Sequence, residues 1–344
     1  MKRDIKSMLP EELSEYFASI GERGYRVGQV FSWLHSGAAA FAEMTNLPAG
    51  LREGLDREFF ITVPEMLEKQ VSKLDGTTKH LWRLGDGNTV ESVVMEYEHG
   101  LTVCISTQVG CRMGCIFCAS ALGGLARNLT AAEMLDQVLF SQIEVGRRLS
   151  NVVLMGIGEP LDNFDNVVRF LALVNHPSGI NIGARHITLS TCGIIENIDK
   201  LAKCGIQLSL AVSLHAPDDE TRSRLMPINK KAGVDELIRA CDRYYESTGR
   251  RISYEYALMA GANDTRRHAE MLAGRIKATG SHLNLILWND VPECLVSASP
   301  PDALKAFTGV LRNKGINFTI RRKLGSDIDA SCGQLRRRCA LSRE

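Results

Sequence analysis

The stretch that decides the fold reads Leu101-Thr-Val-Cys-Ile-Ser106-Thr-Gln-Val-Gly-Cys111-Arg-Met-Gly-Cys115-Ile-Phe-Cys118. An apolar strand candidate is followed by three cysteines within eight residues on a turn-rich loop. Hydrophobic cores are not built this way, whereas three thiolates on one loop can hold three corners of a cubane iron–sulfur cluster and leave its fourth iron open. A structural zinc site normally has four closed ligands, and no fourth Cys or His is near in sequence.

The composition is that of an ordinary globular protein and excludes a disordered chain. Of 344 residues, 44% are hydrophobic and 24% are charged, with 41 basic and 40 acidic side chains. No apolar run is long enough for a membrane span and no signal peptide is evident, so we expect a cytoplasmic protein with no membrane partner. In that reducing compartment, the ten cysteines are expected to be thiols, metal ligands or catalytic groups.

Outward from the cysteine loop, the pattern alternates between strand and helix, which predicts a parallel sheet. Six complete βα units are too few for a closed eight-stranded barrel, so we expect an α/β fold with a curved, partly open barrel that binds ligands at the carboxyl ends of its strands. The predicted strands are 101–106, 152–155, 186–190, 208–214, 252–258, 283–288 and 318–321. The predicted helices are 131–147, 164–175, 195–203, 234–247, 264–278 and 302–314.

The rest of the chain divides by pattern into smaller parts. Residues 1–64 read as a small helical accessory domain, whose scattered basic residues form either a solvated face or a contact for a polyanion. Residues 65–98 read as β-hairpins that extend the main sheet. Residues 99–325 then form the barrel, and 326–344 form a C-terminal tail.

A second motif, Gly156-Ile157-Gly158-Glu159-Pro160, follows the second core strand. Glycine lets a ligand approach the backbone closely, and a carboxylate balances an ammonium group. With the cysteine triplet, this segment resembles the signature of the radical S-adenosylmethionine (radical SAM) enzymes. The resemblance implies that the open iron of a [4Fe-4S] cluster binds the methionine end of S-adenosylmethionine. One electron then yields a 5′-deoxyadenosyl radical.

An ordered set of further segments is similar to one branch, the RlmN-type RNA adenine-C2 methyltransferases. The similarity covers nearly the whole chain. The main segments are Tyr25 to Trp33, Thr107 to Gly110, Leu122 to Leu129, Thr188 to Thr191, Ser213 to Ala216, Leu225 to Asn229, Asn284 to Asn289 and Asp327 to Leu335.

This resemblance implies three catalytic roles. Cys332 carries the methyl group as S-methylcysteine, and its methylene radical adds to C2 of adenine to form a protein–RNA crosslink. Cys104 resolves the crosslink by forming a disulfide with Cys332, and Glu91 accepts the C2 proton. From the residues alone, Cys104 would be a small core residue and Glu91 a surface carboxylate at a strand end.

The resemblance also assigns the cofactor contacts. The cluster ligands are Cys111, Cys115 and Cys118. The S-adenosylmethionine contacts are Gly158, Glu159, Ser190, Ser213, Leu214, His215 and Asn289. A satisfied buried histidine is the alternative reading of His215. Cys192, Cys204, Cys241, Cys294 and Cys339 match no catalytic position.

Local charge points to an RNA partner. Between Leu311 and Glu344 there are nine basic and three acidic residues, a local charge of +6 on a chain of net +1. A basic cluster around Cys332 would attract phosphates toward the methyl carrier. The resemblance implies 23S rRNA and tRNA as substrates and an electron donor such as flavodoxin or ferredoxin, and we expect a monomer. The basic residues are Arg312, Lys314, Arg321, Arg322, Lys323, Arg336, Arg337, Arg338 and Arg343.

Two alternatives stay open at this point. Relatives that methylate C8 of an rRNA adenine and confer antibiotic resistance share both cysteines and the triplet. The Pro160 and Phe117-Cys118-Ala119-Ser120 contexts look more like the C2 branch. A non-catalytic RNA-binding protein with a zinc knuckle is the alternative from another class, and it predicts zinc without iron.

Overall fold

The computed structural model of the protein describes residues 2–276, 281–289, 294 and 296–335. Its N-terminal part is a small helical unit with one short parallel strand pair. A helical domain was predicted here and three helices are found, whereas two-residue strands have no sequence pattern of their own. The elements are β1 (Arg3–Asp4), α1 (Pro10–Ser19), α2 (Tyr25–Leu34), α3 (Ala49–Glu58) and β2 (Phe59–Phe60).

Helix α1 shows how local sequence sets this unit. Pro10 occupies the first helical position, where a backbone N–H would have no partner within the helix. The Glu12 carboxylate accepts a hydrogen bond from the Leu9 backbone N–H at 2.7 Å. Leu13 and Phe17, one turn apart, are fully buried and turn this face of the helix toward the core.

The remaining chain supplies twelve strands and seven helices within the described residues. The strands are β3 (Glu65–Val71), β4 (Thr78–Arg83), β5 (Thr89–Tyr97), β6 (Gly100–Cys104), β7 (Gln108–Gly110), β8 (Leu125–Asn128), β9 (Leu149–Leu154), β10 (Ile187–Thr191), β11 (Ser209–Ser213), β12 (Ser253–Leu258), β13 (His282–Leu287) and β14 (Phe318–Ile320). The helices are α4 (Ala131–Val145), α5 (Phe164–Asn175), α6 (Ile195–Lys203), α7 (Asp219–Leu225), α8 (Val234–Thr248), α9 (Arg266–Ile276) and α10 (Pro301–Asn313).

Ten of these strands form one open sheet in the order β14-β13-β12-β11-β10-β9-β6-β5-β4-β3. The seven strands from β14 to β6 are parallel to their neighbours, and α4, α5, α6, α8, α9 and α10 connect them. The predicted partial (β/α)6 barrel is therefore confirmed. Strands β5, β4 and β3 continue the sheet in antiparallel fashion, as predicted for the β extension.

The sequence prediction missed two features. Helix α7 has seven residues, too few for a helical periodicity to be distinguished from a loop. The pair β7–β8 brackets the cysteine loop and forms its own two-stranded sheet. No helix in the described ranges has both the length and the apolar character needed to cross a membrane.

A buried ion pair joins the N-terminal unit to the barrel. The Lys6 ammonium donates to the Asp136 carboxylate on α4 and to the Thr62 carbonyl, both at 2.6 Å. The exposed fractions of the Lys6 and Asp136 side chains are 0% and 2%. Burial raises the pKa of Asp136 to about 7, although the charge of Lys6 acts in the opposite direction.

Replacing Lys6 should therefore destabilise the protein strongly. Lys6→Ala leaves the Asp136 carboxyl buried without its cation, which typically costs about 3–5 kcal/mol. The matched control is Lys2→Ala, because the ion pair of Lys2 with Asp56 is 3.9 Å long and exposed. Such a pair contributes about 0–1 kcal/mol. The measurement is thermal unfolding of both variants beside the wild type. Equal melting temperatures for Lys6→Ala and Lys2→Ala would contradict this prediction.

Candidate active site

The cysteine loop begins directly after β7, at the carboxyl edge of the parallel strands. Gly110 has φ +79°, and a Cβ there would lie 1.9 Å from the Gly124 carbonyl oxygen. This close approach lets the Cys111 N–H donate to that oxygen at 3.0 Å. Glycine is therefore required at position 110 to close the loop.

The three predicted cluster ligands line one cavity. Burial raises the pKa of Cys111 to about 12, and it also raises the pKa values of Cys115 and Cys118. Buried thiols of this kind remain protonated unless a metal holds them as thiolates.

Across residues 2–276, 281–289, 294 and 296–335, no three His, Cys, Asp or Glu side chains lie close enough to hold one metal ion. In a cubane cluster each cysteine binds a different iron. Three cysteines on one loop can therefore hold three irons of a [4Fe-4S] cluster and leave the fourth without a protein ligand.

The Gly156–Pro160 segment brings a carboxylate to the same cavity. A Cβ at Gly156 would lie 2.6 Å from the Ile105 carbonyl oxygen, and one at Gly158 would lie 2.6 Å from Gln108 Cβ. Both glycines are thus required by the packing of this turn against the chain that leads to the cysteine loop. Glu159 follows them and lines the cavity.

The environment of Glu159 suits a cationic ligand. Its carboxylate is buried and accepts hydrogen bonds from the backbone N–H groups of Cys192 at 2.8 Å and Leu161 at 3.0 Å. Burial raises the pKa of Glu159, and these hydrogen bonds act to lower it. An ammonium group in the cavity would complete the charge balance of this site.

Five of the seven predicted cofactor contacts line this cavity and two do not. Gly158, Glu159, Ser190, Ser213 and His215 belong to its wall. Leu214 is fully buried in the hydrophobic core, and its carbonyl accepts a hydrogen bond from Arg222. Asn289 lines an adjoining cavity.

His215 combines a structural and a cavity-facing role. Its Nδ1 accepts a hydrogen bond from the Ala257 N–H at 2.9 Å, which assigns the proton of the neutral ring to Nε2. Burial, with a smaller effect of the Arg222 charge, lowers the pKa of His215 to about 3. The ring is therefore neutral near pH 7 and has one N–H donor to offer a ligand.

The adjoining cavity contains the two cysteines for which the family resemblance implies a disulfide. Cys104 and Cys332 both line it, and Cys332 also lines the first cavity. Burial, with a further effect of the nearby Cys332, raises the pKa of Cys104 to about 12. The residues shared by the two cavities, which form the partition between them, are Met155, Ile286, Arg321 and Cys332.

Glu91, the predicted proton acceptor, lies on an interior strand of the sheet. It is the third residue of β5, and only 1% of it is exposed, whereas a surface position at a strand end was the alternative. It lies 3.9 Å from the ammonium of Lys79. Among the described residues that line the two cavities, Glu91 does not occur, although it shares a sheet face with Cys104.

Sequence reasoning did not single out two arginines of this site. Arg222, on the unpredicted helix α7, is almost fully buried and donates to the carbonyls of Cys192 at 2.7 Å and Ser213 at 3.0 Å. It thereby ties together the carboxyl ends of β10 and β11. Arg321 was counted only as tail charge, yet it donates to the buried Glu255 carboxylate at 3.2 Å in the partition. Only the folded arrangement reveals these roles.

Comparison with known proteins agrees with this architecture. Residues 105–272 match the family model described as the radical SAM superfamily, and residues 4–61 match the ribosomal RNA large subunit methyltransferase N-terminal domain. A crystal structure of a radical SAM methyltransferase from Sphaerobacter thermophilus is 41% identical and superimposes with a TM-score of 0.91, covering 97% of this chain and 99% of that one. The barrel and its cysteine loop therefore define a radical SAM enzyme.

Full-length relatives narrow this class. A protein of Alkaliphilus metalliredigens, named probable dual-specificity RNA methyltransferase RlmN, is 49% identical over 98% of this chain and 96% of its own length. The protein of Clostridium tetani with the same name is 48% identical over 95% of this chain and 94% of its own length. The chain belongs to the RlmN family of radical SAM RNA methyltransferases. This confirms the expected cofactors, S-adenosylmethionine and a [4Fe-4S] cluster, because radical SAM chemistry is defined by them.

Removal of one loop cysteine should abolish cluster binding. Cys118→Ala leaves two protein ligands, so we expect less than one tenth of the wild-type iron and acid-labile sulfide after anaerobic reconstitution. Cys204→Ala is the matched control, because Cys204 is exposed and lies at the end of α6. Iron, sulfide and visible absorbance are measured for each protein. Zinc without sulfide in the wild type, or full iron in Cys118→Ala, would contradict the assignment.

Proposed function

We propose that this protein methylates C2 of adenine in 23S rRNA and in tRNA next to the anticodon, through an S-methylcysteine at Cys332. The observation that carries the proposal is the position of Cys332 in the partition between two cavities. One cavity contains the cluster cysteines and the other contains Cys104. The dual-specificity name of the RlmN relatives supports the two RNA classes.

The target atom explains why a carrier thiol is needed. C2 of adenine is an electron-poor sp² carbon between two ring nitrogens and has no lone pair to attack a methyl sulfonium. Ordinary nucleophilic displacement therefore fails there, whereas a carbon radical can add. When bound, the cluster and S-adenosylmethionine supply a deoxyadenosyl radical that can remove a hydrogen atom from an S-methyl group.

In this proposal Cys332 performs the first step. Its thiolate sulfur attacks the methyl carbon of S-adenosylmethionine, which would lie in the first cavity. The new bond joins this sulfur to the methyl carbon, and the bond to the sulfonium breaks with its electron pair, which leaves S-adenosylhomocysteine. The methylated sulfur then presents its carbon to an adenine in the second cavity.

Cys104 and Glu91 complete the sequence. The radical adduct on adenine must lose one electron, which the oxidised cluster would accept, and Glu91 accepts the C2 proton, so that the aromatic ring is restored. The thiolate of Cys104 then attacks the sulfur of Cys332, and a disulfide forms. The electron pair of the broken carbon–sulfur bond stays on the former methylene carbon, which takes a proton and becomes the methyl group. The second cavity supports this pairing, because both thiols line it.

The proposed RNA partner fits the rim of the second cavity. Arg322 and Lys323 are exposed and line it, so they can meet phosphates on either side of an extruded adenine.

The tail arginines Arg336, Arg337, Arg338 and Arg343, with Cys339, lie outside the described residues. We also propose RNA contacts for the helical domain 1–64, an electron donor such as flavodoxin or ferredoxin, and a monomeric enzyme. We propose the same domain limits as from the sequence: 65–98 for the β extension, 99–325 for the barrel and 326–344 for the C-terminal tail.

Nucleoside analysis tests the proposed reaction. The reconstituted protein, given S-adenosylmethionine and a reductant, should form 2-methyladenosine in 23S rRNA fragments and tRNA from a strain that lacks the modification. Digested RNA is analysed by liquid chromatography and mass spectrometry against both methyladenosine standards. Formation of 8-methyladenosine would assign the protein to the antibiotic-resistance branch, and absence of any methylated adenosine would overturn the proposal.

The two catalytic cysteines should fail at different steps. Cys332→Ala should carry no methyl group after incubation with S-adenosylmethionine, whereas Cys104→Ala should accumulate a covalent protein–RNA adduct because the crosslink cannot be resolved. Intact-protein mass spectrometry and denaturing gels separate these outcomes. Cys241→Ala, a buried cysteine on α8, is the control. Multiple turnovers by Cys104→Ala would refute its resolving role.

A further inference from the structure

The described part of the C-terminal tail, residues 326–335, carries Cys332. The turn between β3 and β4 anchors its beginning. The Gly325 N–H donates to the Asp75 carboxylate at 2.9 Å. The Asp327 carboxylate accepts hydrogen bonds from the Ser72 hydroxyl at 2.6 Å and the Lys73 N–H at 3.0 Å. The β extension is therefore the surface on which the tail docks.

The other end of the tail is anchored by the loop that contains the cluster cysteines. The Gly333 carbonyl accepts a hydrogen bond from the Ala119 N–H at 2.9 Å. The Leu335 carbonyl accepts one from the Ser120 hydroxyl at 2.7 Å. The position of Cys332 is thus set by two supports far apart in sequence.

Between these supports, one buried lysine contacts both the tail and Glu91. Lys79 on β4 is only 3% exposed. Its ammonium donates to the carbonyls of Ile328 and, at 3.2 Å, Asp329. The same nitrogen lies 3.9 Å from the Glu91 carboxylate. Lys79 is opposite Val93, which is opposite Cys104, so the lysine and this cysteine share one face of the sheet.

The backbone at the lysine contact is unusual. Asp329 has φ +51°, a left-handed conformation that residues with a side chain rarely adopt. Such a conformation persists only where surrounding contacts stabilise it. The Asp329 carbonyl is one of the two that Lys79 holds, and Cys332 follows three residues later. The lysine therefore stabilises the turn that directs Cys332 toward the partition.

We propose that Lys79 is a positioning residue of the methylation reaction, whose single ammonium holds the Glu91 carboxylate and the turn that presents Cys332 in a fixed relation. This inference rests on the proposed function of Cys332 and Glu91. Two N–H donors of the ammonium reach the two carbonyls, and its charge pairs with the carboxylate. An apolar side chain of similar length offers none of these contacts, whereas arginine keeps the charge and the donors.

The test separates positioning of the tail from general stability. In Lys79→Met, methyl transfer to Cys332 should be at least tenfold slower, whereas iron content should be unchanged and the KM for S-adenosylmethionine in reductive cleavage should stay within twofold. Iron content and this KM should be unaffected because Lys79 does not line the cavity of the cluster cysteines. Lys79→Arg should recover methyl transfer to within threefold of the wild type.

Lys69→Met is the matched control, because Lys69 lies on the neighbouring strand β3 and its pair with Glu144 is exposed. It should methylate Cys332 at the wild-type rate. Methylation is followed by intact-protein mass spectrometry of the reconstituted full chain. If Lys79→Met does not fold, Lys79→Gln takes its place, because glutamine keeps N–H donors without the charge. Methyl transfer, iron content and the KM for S-adenosylmethionine are then measured for that variant.

Three results would overturn this inference. Lys79→Met or Lys79→Gln could methylate Cys332 at the wild-type rate. Iron content, cofactor cleavage and methyl transfer could fall in parallel, or Lys79→Arg could fail to recover methyl transfer; either result would reduce Lys79 to a structural residue. A wild-type protein that never methylates Cys332 would instead overturn the proposed function, on which this inference depends.

Discussion

Three thiols on one loop are the constraint on which the rest of the site depends. Burial raises the pKa of Cys111, Cys115 and Cys118, so metal coordination is what holds them as thiolates together. The loop itself depends on the tight turn at Gly110 and on the parallel strands that carry it. Glu159 and His215 line the same cavity as these three cysteines.

In the proposed function, the tail gives the radical SAM barrel its particular chemistry. It contacts the β extension at one end and the cluster loop at the other. This arrangement places Cys332 between two cavities, one of which Cys104 also lines. A carrier in that position can receive a methyl group on one side and deliver it on the other without leaving the protein.

Local patterns in the sequence predicted most of the fold, and the three cysteines that they single out line one cavity. Strand and helix alternation is a short-range signal, and three cysteines within eight residues are a local motif. The contacts of the tail were not predictable, because the Gly325 and Asp75 partners are 250 residues apart in the chain. Burial of Arg222, the core position of Leu214 and the ion pair of Glu91 likewise depend on packing.

Isotope transfer from the cofactor tests the central claim most directly. S-adenosylmethionine with a fully deuterated methyl group is given to the reconstituted enzyme with RNA and a reductant. If Cys332 is methylated first and then loses a hydrogen atom to the radical, the deoxyadenosine product gains one deuterium and the RNA methyl group keeps two. An RNA methyl group that keeps all three deuteriums, with no labelled deoxyadenosine, would show direct displacement and contradict the account.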